Sequence, residues 1–230
     1  LYFSEPDYTG HNHGIKGEEI KASIMKMDSL LGFIMEELQN LDIYEKLNVI
    51  IVSDHGMTEV SKDRLIILDE HINVEDFNII ISPAIAHLNL REDADVDELY
   101  FYQFINHANV YDKNTKSGLD GGLEIETNLD EYHFINNDFP DYLIISDLGW
   151  TLTTKEQMNQ KKNFPTGMHG YNPNYKDMHG IFMASGPSFK KGVVVPPFEN
   201  INVYGIIAYS LDIDFTRHHI NKTVIENLFK

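Results

Sequence analysis

Apolar residues along this chain fall into two rhythms, one helical and one of short unbroken runs. Between Glu18 and about Asn40, Ile20, Ile24, Met27, Leu31, Ile34 and Leu38 recur at steps of four and three. That spacing draws one apolar stripe and predicts a helix covering a sheet face. The charged Glu19, Lys26, Glu36 and Glu37 fall mostly off the stripe. After a short connection comes Val49 to Val52, apolar throughout and mostly β-branched. Such a run reads as a strand covered on both faces, as in a parallel sheet. It stops at Ser53, Asp54, His55 and Gly56. Ligands of such sheets sit outside the carboxyl ends of the strands. Leu1 to Phe3 reads as the tail of a preceding buried strand, ended by Pro6. Strand, helix and strand then make a βαβ unit.

The rest of the pattern is shorter. Asp7 to Gly17 reads as a loop. Thr58 to Ile81 is mixed, with Arg64 to Leu68 a short strand and Asp69 to Val74 a connection. Ala84 to Leu90 predicts a strand, Asp95 to His107 a helix and Asn109 to Asp112 a strand. Asp112 to Leu129 holds Gly118, Gly121 and Gly122 among polar residues and reads as an exposed loop. Tyr142 to Ser146 is a second buried-strand candidate, turned by Asp147-Leu148-Gly149, with Trp150 packed beside it. Lys155 to Thr166 is polar and loop-like, and Met168 to Tyr171 lies in a loop. Ile181 to Ala184 is a short strand closed by Ser185-Gly186-Pro187, and Asn202 to Leu211 a final amphipathic helix.

The net charge of -18, from 36 acidic and 18 basic residues, argues against a duplex nucleic-acid partner, which needs a basic face. It leaves small phosphorylated substrates open, because bound metal ions supply local positive charge. With no cysteine there is no disulfide framework and no thiolate metal site.

Three clusters carry candidate chemistry: Asp7 with His11, Asp54 with His55, and His169, each beside glycine. Asp and His ligands without Cys suit zinc or a similar divalent ion in a hydrolytic site. Each signal alone is weak, and for any one of them a loop cap or surface histidine is the preferred reading. Their surroundings change this. EPDYTGHNHG resembles the EPD-x-x-GH-x-x-G segment of the nucleotide pyrophosphatase/phosphodiesterase family, in the alkaline phosphatase superfamily. NVIIVSDHGMTEV is similar to that family's strand carrying SDHGM. HFINNDFPDYLIISDLGWTL and GMHGYNPNYKDMHGIFMASGPSFKKG resemble its NN…GW and HGY…GP segments, and FENINVYGIIAYSLDI the helix that follows. The motifs stand in family order over nearly the whole chain.

The resemblance implies an alkaline-phosphatase-like α/β fold, with a mostly parallel central sheet flanked by helices. Residues 1–230 would be the carboxyl-terminal part of one catalytic domain, with a small inserted subdomain at roughly 60–140. It implies two Zn²⁺ ions, one held by Asp7, His11 and His169, the other by Asp54 and His55. The family's nucleophile is a threonine that is transiently phosphorylated. That threonine, and a further aspartate for the Asp54 and His55 site, lie before EPD in the family. The resemblance therefore implies that a preceding amino-terminal segment, in the same or a separate chain, completes the site, and that residues 1–230 alone are inactive. Thr9 and Thr58 lack the nucleophile's context, His13 and His179 match no ligand position, and Ile15 stands where a proline often follows the glycine. The other histidines, His71, His87, His107, His133, His218 and His219, show no constellation. The implied reaction is hydrolysis of phosphodiester or pyrophosphate bonds, with nucleotides as the default substrate. The alternatives are choline phospholipids, or a non-catalytic metal-binding relative acting as an interaction module. Asn221-Lys222-Thr223 is an N-glycosylation acceptor, in keeping with the family's extracellular or cell-surface setting.

Overall fold

In the computed structural model, residues 1–94, 105–113, 118–120, 123–125, 139–160, 164–214 and 221–230 are described. They form two compact units, Leu1–Met27 with His55–His179, and Asp28–Asp54 with Gly180–Lys230.

The first unit opens without a strand. Leu1–Phe3 is irregular and exposed, which corrects the expected strand and with it the βαβ unit. A strand exists only where a neighbour takes up its backbone groups, and no described segment pairs with these residues. The expected loop that follows is instead helix α1, Asp7–His13. Glu5 holds its start, accepting from the Thr9 amide at 3.2 Å and from Ser23 Oγ at 2.9 Å. The Thr9 side chain foremost, then Ser23 and the Thr9 amide, hold the Glu5 carboxyl below its usual range by hydrogen bonding to it. Helix α2, Glu18–Gln39, has the expected bounds, and the division between the units falls within it. None of its residues is buried. Its stripe is half-buried except at Ile24, which is exposed.

The unit's main sheet has six strands, all antiparallel. They are β4 (Phe77–Ser82), β5 (Ile85–Leu90), β6 (Ala108–Asp112), β7 (Gly118–Asp120), β8 (Leu123–Ile125) and β9 (Tyr142–Ser146), in the order β4-β5-β9-β6-β7-β8. Every residue of β9 is buried. Tyr142 and Ile144 face a core with Ile66, Phe77, Leu88 and Leu152, while Leu143 and Ile145 face Tyr111 and Phe139 on the other side. An unalternating run in a central strand needs both faces covered, and here it has them. β4 was hidden in the mixed stretch, because Ile79-Ile80-Ile81 breaks the alternation that its burial follows. The expected loop 112–129 contains the β7–β8 hairpin. Most of the helix expected at 95–107 lies outside the described residues. Trp150 packs against the core as expected, and its ring also stacks on His107 at 3.8 Å.

Three small ladders complete the picture. β3 (Leu65–Ile67) pairs with β10 (Thr151–Thr153), the one parallel pair among the described residues. β2 (Thr58–Glu59) pairs antiparallel with β11 (Gly167–Met168), where a loop was expected. The polar stretch after Thr154 forms a short helix, α3 (Lys155–Gln160), in place of a loop.

In the second unit, β1 (Val49–Val52) pairs antiparallel with β12 (Phe182–Ser185). The expected buried parallel strand is therefore a partly exposed antiparallel one, with Val52 44% exposed. Apolar patterning does not encode strand direction; only the connections do. Ile50, Phe182 and Ala184 pack on a core of Phe189, Ile206, Val224, Ile225, Leu228 and Phe229. Helix α4, Asn202–Ser210, supplies part of this core as expected. It is not the final helix: α5, Lys222–Leu228, follows, with Asn221 as its N-cap.

Candidate metal centre

Helix α1 explains the Asp-x-x-x-His spacing. Four residues apart on a helix, Asp7 and His11 share one face. Asp7 Oδ1 lies 3.5 Å from His11 Nε2 and 3.9 Å from His169 Nε2. The three ligand atoms lie within 4.8 Å of one another. His169 comes from the turn after β11, 158 positions along the chain from His11 by subtraction, so the fold itself makes this cluster.

The hydrogen bonds set which atoms face inward. His11 Nδ1 is 2.8 Å from the Gly167 carbonyl oxygen. A carbonyl only accepts, so Nδ1 carries the proton and neutral His11 turns the Nε2 lone pair toward Asp7. His55 Nδ1 meets the Gly56 carbonyl at 2.8 Å in the same way. Its ring stacks on His169, with centroids 3.6 Å apart and planes at 14°. Asp7 Oδ1 is buried and accepts no hydrogen bond among the described residues. A carboxylate oxygen facing the His11 Nε2 lone pair is unfavourable unless a proton or a cation joins them. A tetrahedral ion with bonds of roughly 2.0–2.2 Å places its ligands about 3.4 Å apart. The spacing here is close to that, so the residues fit a small divalent cation.

Among the ligand residues that the resemblance implies, Asp7, His11 and His169 converge, and His55 stacks on His169. Asp54 is the exposed residue at which the second unit's segment Asp28–Asp54 ends, just beyond β1. Thr58 is buried and donates to Asp177 Oδ2 at 2.8 Å, a structural engagement. His107 is less isolated than its sequence suggested, with Nδ1 3.3 Å from Asp147 Oδ2.

The residues that hold the ligands were not singled out from sequence. Tyr171, two residues after His169, is 4% exposed and donates to the Trp150 carbonyl at 2.9 Å. Burial pushes its phenol up to about 12 from 10.0, while Thr151 and Arg64 act in the opposite sense. Raised in the fold, this group gives stability that is complete below pH 10 and fades as pH climbs toward 12. Tyr171→Phe is expected to cost about 1 kcal/mol at neutral pH. It should also flatten an alkaline loss of about 2 kcal/mol, read by urea unfolding of both proteins across that range.

The model of the family "Type I phosphodiesterase / nucleotide pyrophosphatase" matches residues 1–172. The human bis(5'-adenosyl)-triphosphatase ENPP4 is 32% identical over 215 residues, 92% of this chain and 43% of that protein. Venom phosphodiesterase 2 of Crotalus adamanteus is 33% identical over 90% of this chain and 25% of its own length. Murine ectonucleotide pyrophosphatase/phosphodiesterase 5 superposes with a TM-score of 0.83 at 29% identity, covering 99% of this chain and 58% of that one. An inactive threonine-to-alanine form of that murine protein, in complex with AMP, superposes at 0.82. The chain thus spans less than half the length of these curated relatives. Family model, relatives and superposition meet on one assignment: the chain belongs to the type I phosphodiesterase / nucleotide pyrophosphatase family and has its alkaline-phosphatase-like α/β fold.

Proposed function

We propose that this chain carries the metal-binding part of an enzyme that hydrolyses phosphodiester or pyrophosphate bonds of nucleotides. The observation that carries the reading is the convergence of Asp7, His11 and His169 around an Asp7 oxygen that accepts no hydrogen bond. In this reading those three residues hold one Zn²⁺, and Asp54 and His55 contribute to holding a second. His and carboxylate donors without Cys suit zinc. Paired ions of this kind supply charge stabilisation to the attacking and leaving oxygens of an in-line displacement. The chain's own task is to orient the donors: Gly167 fixes the His11 tautomer, Gly56 that of His55, and Tyr171 the turn bearing His169. The threonine nucleophile belongs, in this reading, to an amino-terminal segment outside these 230 residues. Residues 1–230 are then the carboxyl-terminal part of one catalytic domain, with an inserted subdomain at roughly 60–140. A nucleotide substrate is supported by the AMP bound to the murine relative and by the names of the other relatives.

The test is metal analysis of the protein with its amino-terminal segment, together with cleavage of a nitrophenyl nucleoside phosphodiester and of a nitrophenyl phosphorylcholine. The expected result is about two zinc ions and preferential nucleotide cleavage, lost on chelation and restored by zinc. Preference for phosphorylcholine would overturn the substrate. Metal-free, inactive protein would overturn the enzyme in favour of an interaction module.

The reading extends to an extracellular or cell-surface setting with a glycan on Asn221. No described helix is long and apolar enough to cross a membrane. Asn221 Oδ1 caps α5 by accepting from the Thr223 amide at 2.9 Å, and a sugar on Nδ2 leaves that cap intact. Thr223→Ala should therefore abolish glycan mass while keeping stability. Asn221→Gln should lose the glycan and about 1 kcal/mol as well, as read by mass spectrometry and thermal melting of secreted protein.

A further inference from the structure

The metal-ligand spacing depends on how closely two elements approach, α1 with Asp7 and His11, and β11 with the His169 turn. Backbone bonds fix their direction. The Thr166 amide donates to the His11 carbonyl at 2.9 Å, and the Val60 amide to the Thr166 carbonyl at 3.0 Å. These bonds set the register, but a pair of elements so linked still slides or tilts. The two elements touch at Gly10 and Gly167, and one side chain lies against both beside that contact. A Cβ built on Gly10, in α1, would lie 2.5 Å from Met57 Sδ and 3.2 Å from its Cε. A Cβ built on Gly167, in β11, would lie 2.6 Å from the same sulfur and closer still to the Gly10 carbonyl oxygen. One thioether therefore rests against two glycines, one on each ligand-bearing element. Met57 is itself pinned. It follows Gly56, whose amide donates to Met178 at 2.9 Å, and precedes β2, which pairs with β11 through Thr58 and Met168.

Resting on the metal reading above, we infer that Met57 is a positioning residue: its side chain is the spacer that, beside the Gly10–Gly167 contact, holds α1 at the tilt on β11 at which Asp7, His11 and His169 share one ion. A metal site tolerates bond-length errors of only about 0.2 Å. Removing the side chain beyond Cβ leaves a void into which α1 moves or tilts, because interiors relax toward close packing. Leucine has similar volume and keeps the spacing. A residue of merely structural importance would lower stability without changing how the ion is held.

The test titrates the metal-free, full-length protein with Co²⁺ and follows the visible absorption, which reports affinity and coordination geometry independently of turnover. Met57→Ala is expected to weaken Co²⁺ binding at least about tenfold and to alter the spectrum, with Met57→Leu restoring both. If wild type binds no Co²⁺, the metal reading itself fails. If wild type binds and Met57→Ala matches it in affinity and spectrum, the metal reading stands and the spacer role is overturned. Should Met57→Ala fail to fold by circular dichroism, Met57→Val takes its place, and unchanged binding by that variant overturns the spacer role equally.

Discussion

Asp7→Asn is expected to lower the affinity for the bound ion by about 100-fold or more, and to raise the stability of the metal-free protein. The two effects have one cause. Asp7 Oδ1 is buried, close to two imidazole nitrogens, and accepts no hydrogen bond among the described residues. With an ion present, its charge binds. Without one, that oxygen faces the His11 Nε2 lone pair and accepts no hydrogen bond among the described residues, and a neutral amide in its place relieves about 1 kcal/mol. Competition with a chelator reads the affinity, and thermal melting of metal-free protein reads the stability. His13→Ala, on the same helix but outside the cluster, should leave affinity unchanged. An Asp7→Asn protein that binds the ion as wild type does, or that melts lower when metal-free, would sink this account of the site.

Gly56→Ala is expected to cost about 3 kcal/mol and to displace His55. The new Cβ would lie 2.7 Å from the His179 carbonyl oxygen and closer still to that of Asp177. Both obstacles are backbone, so no flexible side chain swings away. The hydrogen bond from the Gly56 amide to Met178 holds the turn in place against them. Gly32→Ala is the contrast. That glycine sits in α2 with nothing within 4 Å of a new Cβ, and the substitution should stabilise by about 0.5–1 kcal/mol. Urea unfolding of the two variants reads the opposite signs. Equal small changes in both would show that the Gly56 turn has more room than its geometry gives it.

The proposed ligand residues were legible because their types and neighbours form a recognisable series in order. The fold around them was legible where one physical rule dominates. A 22-residue stripe at helical spacing gave α2 its bounds, and the fully apolar YLIIS gave β9 its two covered faces. Elsewhere the deciding contacts are distant. α1 is short, carries Gly10 in its middle and has no apolar stripe, so nothing local announces a helix. Its start is tied by Ser23, and its end by Gly167. β11 is two residues long and exists because Thr58 and Glu59 lie beside it. The antiparallel partner of β1 lies, by subtraction, 130 positions away at Val52–Phe182 and 136 at Val49–Ser185. The glycine beside His11 was visible, but that it and Gly167 both admit one sulfur atom needed the three-dimensional arrangement.

The two units are interleaved: the chain passes between them at Met27–Asp28, at Asp54–His55 and at His179–Gly180. Neither unit is therefore available to a growing polypeptide as a continuous stretch. During synthesis, α1 emerges with Asp7 and His11 long before His169 exists to meet them. Contacts of such high sequence separation slow folding and lengthen the time that apolar segments stay uncovered. An ion held as proposed by Asp7, His11 and His169 would not be an early nucleus for this fold, because these donors meet only after most of the chain has been made. On the proposed metal reading, ion capture is consequently a late event in the protein's biogenesis.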